Sequence, residues 1–198
     1  MDPIVAWALS FMMAWSPPGR STIRDAVETA EAGAARYTEI ARAAASVAFD
    51  PEARPLLSGP HARSQTLAIL LSVAFHESGF RRDVDLGVGP LARGSGTDSC
   101  LMQIRVGRGN TVEGYSHADL VASRDKCFRV GMRLLRHSIG ACRSLAVLDW
   151  LSAYARGQCV ADEPTSHALI GPALHVKTAP LDDAHVARAM ELGAAAGP

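Results

Sequence analysis

One carboxylate stands out because of the residues that precede it in the chain. Glu77 lies near the end of an apolar stretch that begins after Ser64, a suitable helix N-cap, and Gly79 offers a stop. Apolar residues recur here at the spacing of one helical face: Leu67, Leu70, Leu71, Ala74 and Phe75. The helix dipole and apolar surroundings both disfavour a charged carboxylate near a helix C-terminus. The pattern therefore predicts that Glu77 keeps its proton and can act as a general acid.

The same helix carries the beginning of a zinc-protease pattern but not its end. His76 and Glu77 are adjacent, as in that motif, but Phe80 occupies the position of the second histidine ligand. The four cysteines form no Cys-x-x-Cys pair. The sequence therefore implies neither a metal nor an organic cofactor.

Three short segments follow one another along the chain: Glu77-Ser78-Gly79-Phe80, Ser99-Cys100-Leu101-Met102-Gln103-Ile104 and Ala153-Tyr154-Ala155-Arg156-Gly157. The first resembles the Glu-Ser-x-Phe signature of the lytic transglycosylases and goose-type lysozymes. The second resembles their Ser-x-Gly-Leu-Met-Gln-Ile segment, and the third their Ala-Tyr-Asn-x-Gly. The resemblance extends from about Gln65 to Cys159.

This resemblance implies a lysozyme-like α+β domain, mainly α-helical, that cleaves the β-1,4 bond between N-acetylmuramic acid and N-acetylglucosamine in peptidoglycan. The loose alternation over Ser99–Val106 predicts a strand of a small β-hairpin beside the active-site cleft. In the family a single glutamate, here Glu77, acts first as acid and then as base. The substrate's 6-hydroxyl attacks, which leaves a 1,6-anhydro end.

Hydrolytic relatives instead recruit aspartates that position water. Asp98, one residue before the second motif, is the first candidate for a second carboxylate, ahead of Asp83 and Asp85. The ordinary role of these aspartates is turn and cap formation. We expect transglycosylation, with hydrolysis by a lysozyme or endolysin of the same fold as the alternative.

Four further residues match family positions that line the glycan cleft: Ser99, Met102, Gln103 and Tyr154. Gln103 offers a donor and an acceptor to an N-acetyl group, and Met102 offers an adaptable apolar wall. In the family the tyrosine hydroxyl can bond the acid or the substrate. The alternatives are an ordinary hairpin and a core tyrosine.

Two residues depart from the family pattern. Cys100 stands where glycine is usual, and Ala155 stands where asparagine is usual. The missing polar contact at Ala155 leaves open a catalytically silent module that binds walls or braces a phage or secretion assembly. The row Trp7, Phe11 and Trp15, four residues apart, could contact such an assembly, although packing on the domain is the interpretation we favour.

An even number of cysteines in a suspected wall enzyme suggests two disulfides and an oxidising compartment. Sequence order and the predicted helix layout favour the pairs Cys100–Cys127 and Cys142–Cys159. The alternative is buried free thiols in a cytoplasmic protein. We therefore expect an extracytoplasmic protein that is periplasmic, secreted or carried by a virion. The apolar segment Ile4–Trp15 lacks the positive charge of a signal peptide, so delivery by a phage particle or secretion machine is the hypothesis.

Length and charge limit the remaining classes. The chain has 198 residues and a formal net charge of zero, which gives no basic excess for nucleic acid. No apolar run is long enough to cross a membrane. We expect one domain overall, with residues 1–60 as a helical extension packed on a catalytic domain over residues 61–198. Periodicity and caps predict further helices over Met1–Trp15, Ser21–Phe49, Ser123–Ile139, Ser144–Ala155 and from Asp182 or Asp183 to Leu192.

Overall fold

The structure is a computed structural model that describes residues 2–18, 28–88, 92–94, 96–106 and 109–176. These residues form helices joined by turns and loops, and none of them lies in a β-strand. The chain divides into two compact units, one of Met1–Ala44 with Val73–Gly131 and one of Ala45–Ser72 with Met132–Pro198. The units interleave along the sequence, and the division between residues 1–60 and 61–198 stays a prediction.

The described ranges contain helices of very different length. They are α1 (Pro3–Trp15), α2 (Ala30–Ala48), α3 (Ala62–Ser78), α4 (Arg82–Leu86), α5 (His117–Ala122), α6 (Arg124–Ala141), a 3₁₀ helix (Val147–Asp149), α7 (Ser152–Arg156) and α8 (Pro164–Leu174). The predicted mainly helical fold is therefore confirmed. No helix among the described residues is both long enough and apolar enough to span a bilayer. The helix predicted after Asp182 lies outside the described residues.

In the first unit, α1 begins with a side-chain cap and a proline. The carboxylate of Asp2 accepts a hydrogen bond from the Ile4 backbone N–H at 2.8 Å, and Pro3 occupies the first helical turn, where no N–H is required. One face of the helix is buried, through Ile4, Val5, Ala8 and Met12. The helix predicted near the N-terminus is therefore present, with one face buried.

A group of buried ions connects three helices of the first unit, and we call Glu28, Arg36, Asp85 and Arg124 the Asp85 cluster. Asp85 in α4 receives two hydrogen bonds from Arg124 in α6, at 2.8 and 2.7 Å. Arg36 in α2 lies 3.5 Å from the same carboxylate and also binds Glu28 at 2.8 Å. The Asp85 side chain is 1% exposed, so both of its cationic neighbours act where water screens little.

In the second unit, a polar network fixes the start of α8. The Glu163 carboxylate accepts from the Ser166 N–H at 2.7 Å and pairs with Arg156 at 2.9 Å. Asp149 accepts from the Glu163 N–H at 3.0 Å and from His167 at 2.8 Å. Hydrogen bonds and the Arg156 cation outweigh desolvation and lower the pKa of Glu163. The network thus satisfies the buried end of the helix.

The two predicted disulfides are both present. Cys100 pairs with Cys127 in the first unit, with Cα atoms 6.2 Å apart. Cys142 pairs with Cys159 in the second unit, with Cα atoms 5.3 Å apart. Each bond closes a loop within one unit and therefore restricts that unit's unfolded chain.

The predicted β-hairpin is not seen. Two backbone bonds cross the loop over residues 97–106, from the Ile104 N–H to the Ser99 oxygen and from the Val106 N–H to the Thr97 oxygen. Between them Cys100 and Gln103 have φ values of 56° and 44°. These left-handed residues cannot belong to an extended strand, so the segment doubles back as consecutive turns.

The single helix predicted over Ser144–Ala155 is also wrong, because it divides into the 3₁₀ helix and α7. At this division, serine hydroxyls from other parts of the second unit accept hydrogen bonds from backbone N–H groups. Ser166 Oγ accepts from the Leu151 N–H at 3.0 Å, and Ser138 Oγ accepts from the Tyr154 N–H at 2.9 Å. These bonds replace the intrahelical ladder, which the apolar periodicity of the segment could not reveal.

Candidate functional site

Glu77 lies in the last turn of α3, the helix predicted from its apolar periodicity. Leu67, Leu70 and Leu71 of this helix are fully buried. Gly79 ends it with φ of 59°, and its N–H binds the Phe75 oxygen at 2.7 Å. The helix therefore holds Glu77 at a fixed position at its C-terminal end.

The Glu77 carboxyl is exposed, and its environment still favours the protonated form. Desolvation by surrounding protein, followed by repulsion from Asp98, raises the pKa of Glu77 from 4.5 to about 7. Exposed area and lost hydration differ here because a carboxyl can keep one open edge while protein displaces water from its other sides. Among the described residues, none forms an ion pair or hydrogen bond with this carboxyl; Arg81 pairs with Asp83 instead, at 2.7 Å. Glu77 can therefore both hold and release a proton near neutral pH.

Asp98 and Gln103 approach the same point of the backbone at Gly94. A methyl group added there would lie 2.7 Å from Asp98 Oδ2 and 2.8 Å from Gln103 Oε1. The φ of Gly94 is 51°, so both space and backbone conformation require glycine. Because Asp98 also acts electrostatically on Glu77, this loop places a second carboxylate and an amide in the neighbourhood of the acid.

The Gln103 side chain is held by backbone carbonyls. Its amide nitrogen donates to the Cys100 oxygen at 3.1 Å and to the Ala92 oxygen at 3.4 Å. The amide oxygen is then the group left to accept a hydrogen bond, for example from the N–H of an N-acetyl substituent. This geometry is compatible with the substrate-binding role predicted for Gln103.

The Cys100–Cys127 disulfide fixes the turn that carries Gln103. The left-handed φ of Cys100 is the conformation that glycine adopts most easily, which explains why glycine suits this position of the motif. A covalent bond to Cys127 in α6 holds Cys100 in that conformation. The disulfide therefore stabilises a left-handed conformation at a residue that is not glycine.

Ser99 and Met102 are fully buried, so neither presents surface to a ligand in this structure. Ser99 Oγ lies 2.7 Å from His117 Nδ1 in α5, a contact that no sequence pattern indicated. Met102 packs against Gly131, where an added methyl group would lie 2.5 Å from Met102 Cε. Both residues support the loop, and a direct contact with a glycan stays a prediction.

The remaining predicted residues have other partners or belong to the second unit. Asp83 is paired with Arg81, and Asp85 is buried between two arginines, so neither is disposed to position water. Tyr154 belongs to α7 in the second unit, where its N–H binds Ser138. Its predicted role stays a prediction.

One group of described side chains in the second unit could hold a metal ion. Ligand atoms of Asp149, Asp162 and His167 lie within 4.8 Å of one another. Asp149 already accepts hydrogen bonds from the Glu163 N–H and from His167, so the group has a structural role at the start of α8. Hydrogen bonds, the largest from the Glu163 backbone, outweigh desolvation and lower the pKa of Asp149.

No protein-family model, curated protein or solved structure matches this chain. The groups gathered around Glu77 are a proton donor with a pKa of about 7, a second carboxylate at Asp98 and an amide at Gln103. Together they suit the protonation of a leaving oxygen followed by stabilisation or capture of a cationic centre.

Proposed function

We propose that the protein is a peptidoglycan-cleaving muramidase in which Glu77 is the general acid and base. The observation that carries the proposal is the Glu77 carboxyl, which is exposed, has no ion-pair partner among the described residues and has a pKa of about 7. A carboxyl buried with an arginine would stay ionised and could not donate a proton at neutral pH. The resemblance of three motifs to lytic transglycosylases supplies the substrate class.

In the proposed reaction, Glu77 donates its proton to the glycosidic oxygen as the C1–O bond breaks, and the 4-hydroxyl of the next sugar leaves. The bond electrons stay on that oxygen, so positive charge develops at C1. The carbonyl oxygen of the 2-N-acetyl group attacks C1 and shares the charge. Gln103 is proposed to orient this substituent through its amide. The Glu77 carboxylate then removes a proton from the hydroxyl that captures C1.

The identity of that hydroxyl decides the product. Attack by the substrate's own 6-hydroxyl gives a 1,6-anhydro end, which we propose as the main outcome. Attack by water gives a reducing end, and the proximity of Asp98 to Glu77 favours this second candidate, since a carboxylate there could orient water. The anhydro product is lighter by one water, so mass spectrometry of digested walls distinguishes them.

The test is clearing of purified cell walls by the whole protein and by Glu77→Gln. We expect a loss of about 10²- to 10⁴-fold in rate, because general acid–base catalysis contributes in this range. Glu31→Gln, an exposed glutamate of α2, is the matched control and should clear walls normally. Clearing by Glu77→Gln at the unaltered rate would contradict the proposal.

Absence of clearing by the unaltered protein, with binding to walls retained, would instead favour the silent wall-binding module. Ala155 is the feature in support of that alternative, because it removes a polar group from the third motif. Both forms are proposed to act outside the cytoplasm, at the cell wall. The two disulfides support this placement, since such bonds persist in oxidising compartments. Delivery by a phage particle or secretion machine is part of the proposal.

A further inference from the structure

The C-terminal end of α1 is attached to the C-terminal end of α3, where Glu77 lies. Ser16 Oγ donates to the Gly79 backbone oxygen at 3.0 Å. The Trp15 ring lies 5.1 Å from the Phe75 ring and 6.5 Å from the His76 ring, measured between centroids. These contacts place the last residues of α1 beside the residues that immediately precede Glu77.

Trp15 is the last member of a row of stacked rings along α1, which we call the aromatic row: Trp7, Phe11 and Trp15. The centroids of Trp7 and Phe11 are 5.6 Å apart, and those of Phe11 and Trp15 are 4.2 Å apart. All three side chains are half-buried, whereas a different set of residues forms the buried face of the helix. The row therefore keeps part of its ring surface open to solvent, and its last ring lies beside His76, the residue before Glu77.

The chemistry of α1 limits what this surface could bind. The helix contains no acidic or basic residue, so the contacts that its surface offers are aromatic and apolar rather than ionic. A membrane-surface helix usually carries lysine and arginine beside its apolar face, and here the main apolar face is already buried in the protein. A ligand made of sugar rings, which have apolar C–H faces and polar edges, fits partly exposed aromatic rings better.

We propose that the aromatic row is a subsite for the peptidoglycan glycan strand, continuous with the reaction centre at Glu77. This inference rests on the proposed function and extends it. The C–H faces of successive pyranose rings stack on the aromatic rings, while the hydroxyl edges of the sugars stay in water. Residues four apart on a helix rise about 6 Å, so the row offers a linear series of platforms to a linear chain.

The experiment measures binding of soluble glycan strands, released from purified peptidoglycan by removal of the stem peptides, to full-length protein by calorimetry. Glu77→Gln is the parent, so that no cleavage occurs during titration. Trp7→Leu should weaken binding about three- to ten-fold, because a stacked aromatic contact contributes on this scale. Trp7→Phe keeps a ring and should restore most of the affinity. Met13→Ala is the control on the same helix, and it should bind as the parent does.

Circular dichroism and thermal melts of each variant establish that α1 is folded. Equal glycan affinity of Trp7→Leu, Trp15→Leu and the parent would overturn the inference, even if walls are cleared and Glu77 proves essential. Weaker glycan binding by these variants in a protein that never clears walls would keep the subsite and reject the catalytic proposal. Binding to phosphatidylglycerol vesicles that falls with the same substitutions, with glycan affinity unchanged, would also overturn the inference.

Discussion

Two carboxylates of the first unit lie in opposite environments. Asp85 is buried and held by Arg36 and Arg124, which come from two different helices. Glu77 is exposed, has no ion-pair partner among the described residues and has a pKa of about 7. The arginine closest along the chain, Arg81, pairs with Asp83 instead.

The contrast shows how one compact unit separates structure from chemistry. Asp85 contacts two arginines, and the side-chain hydrogen bonds that Arg124 donates to Asp85 are the main cause of the raised pKa of Arg124. Glu77 is partly desolvated and has no cationic partner among the described residues, so its pKa of about 7 leaves its proton exchangeable near neutral pH. Four changes should alter this contrast, each by less than the one before.

The first change removes the Asp85 carboxylate from between its two arginines. Asp85→Ala leaves two arginines near each other without their carboxylate, and we expect a loss of about 3–5 kcal/mol in the free energy of unfolding. Urea denaturation measures this value. Asp125→Ala, which breaks the exposed pair with Arg129, is the control and should cost less than about 1 kcal/mol. Equal effects of the two substitutions would mean that burial of the Asp85 cluster has no energetic role.

The second change cuts the covalent link between the loop near Glu77 and α6, the helix that carries Arg124. Loss of the Cys100–Cys127 bond, whose residues are 27 apart, should cost about 3–4 kcal/mol. In a Cys127→Ser background, Cys100→Gly should be more stable than Cys100→Ala by about 1 kcal/mol, because only glycine adopts the left-handed conformation easily. Denaturation of the two double variants tests this, and a more stable alanine form would refute the role given to φ at Cys100.

The third change removes the repulsion that acts on Glu77. Asp98→Asn should lower the pKa of Glu77, so the alkaline limb of the pH–activity profile should move to lower pH. Desolvation, the larger cause of the shift, remains, so the limb should stay above the 4.5 of an ordinary glutamate. Product masses from the same digests show whether anhydro ends increase at the expense of hydrolysis. An unmoved limb would argue against electrostatic contact between the two groups.

The fourth change concerns stability and should be the smallest, since Glu77 is exposed and solvent screens its charge. Its folded pKa is about 7 and its ordinary value is 4.5, so between these pH values the folded chain binds more protons than the unfolded chain. The stability of the wild type should therefore fall across this window relative to Glu77→Gln, and the gap should level off above pH 7. Thermal melts of both proteins at pH 4, 5.5, 7 and 8.5 measure it. A gap that narrows with rising pH would contradict the raised pKa.

Much of the helical scaffold was predictable because local rules govern it. The apolar stripe and Gly79 located α3, although the helix begins at Ala62 and therefore includes Ser64, the predicted N-cap. The predicted helix Ser123–Ile139 corresponds to the observed Arg124–Ala141. Both disulfide pairs followed from sequence order. The helices depend on residues close in the chain, and four cysteines allow only three ways of forming two disulfides.

The failures came from interactions between distant residues. Nothing in the residue pattern of Ser99–Val106 indicated that Cys100 and Gln103 would adopt left-handed conformations. The disulfide at Cys100 and the hydrogen bonds from the Gln103 side chain to backbone carbonyls stabilise these conformations. The serines that divide the helix predicted over Ser144–Ala155 are likewise remote in sequence. The proximity of Asp98 to Glu77 was a hypothesis from motif order, whereas the Ser99–His117 contact had no signal at all.

The left-handed turn at Cys100 limits which residues can replace this cysteine during evolution. A sulfur bridge and a glycine are two ways to meet one backbone requirement, so positions 100 and 127 should be replaced jointly in natural relatives. A lineage that returns to a reducing habitat should lose both thiols and acquire glycine at position 100.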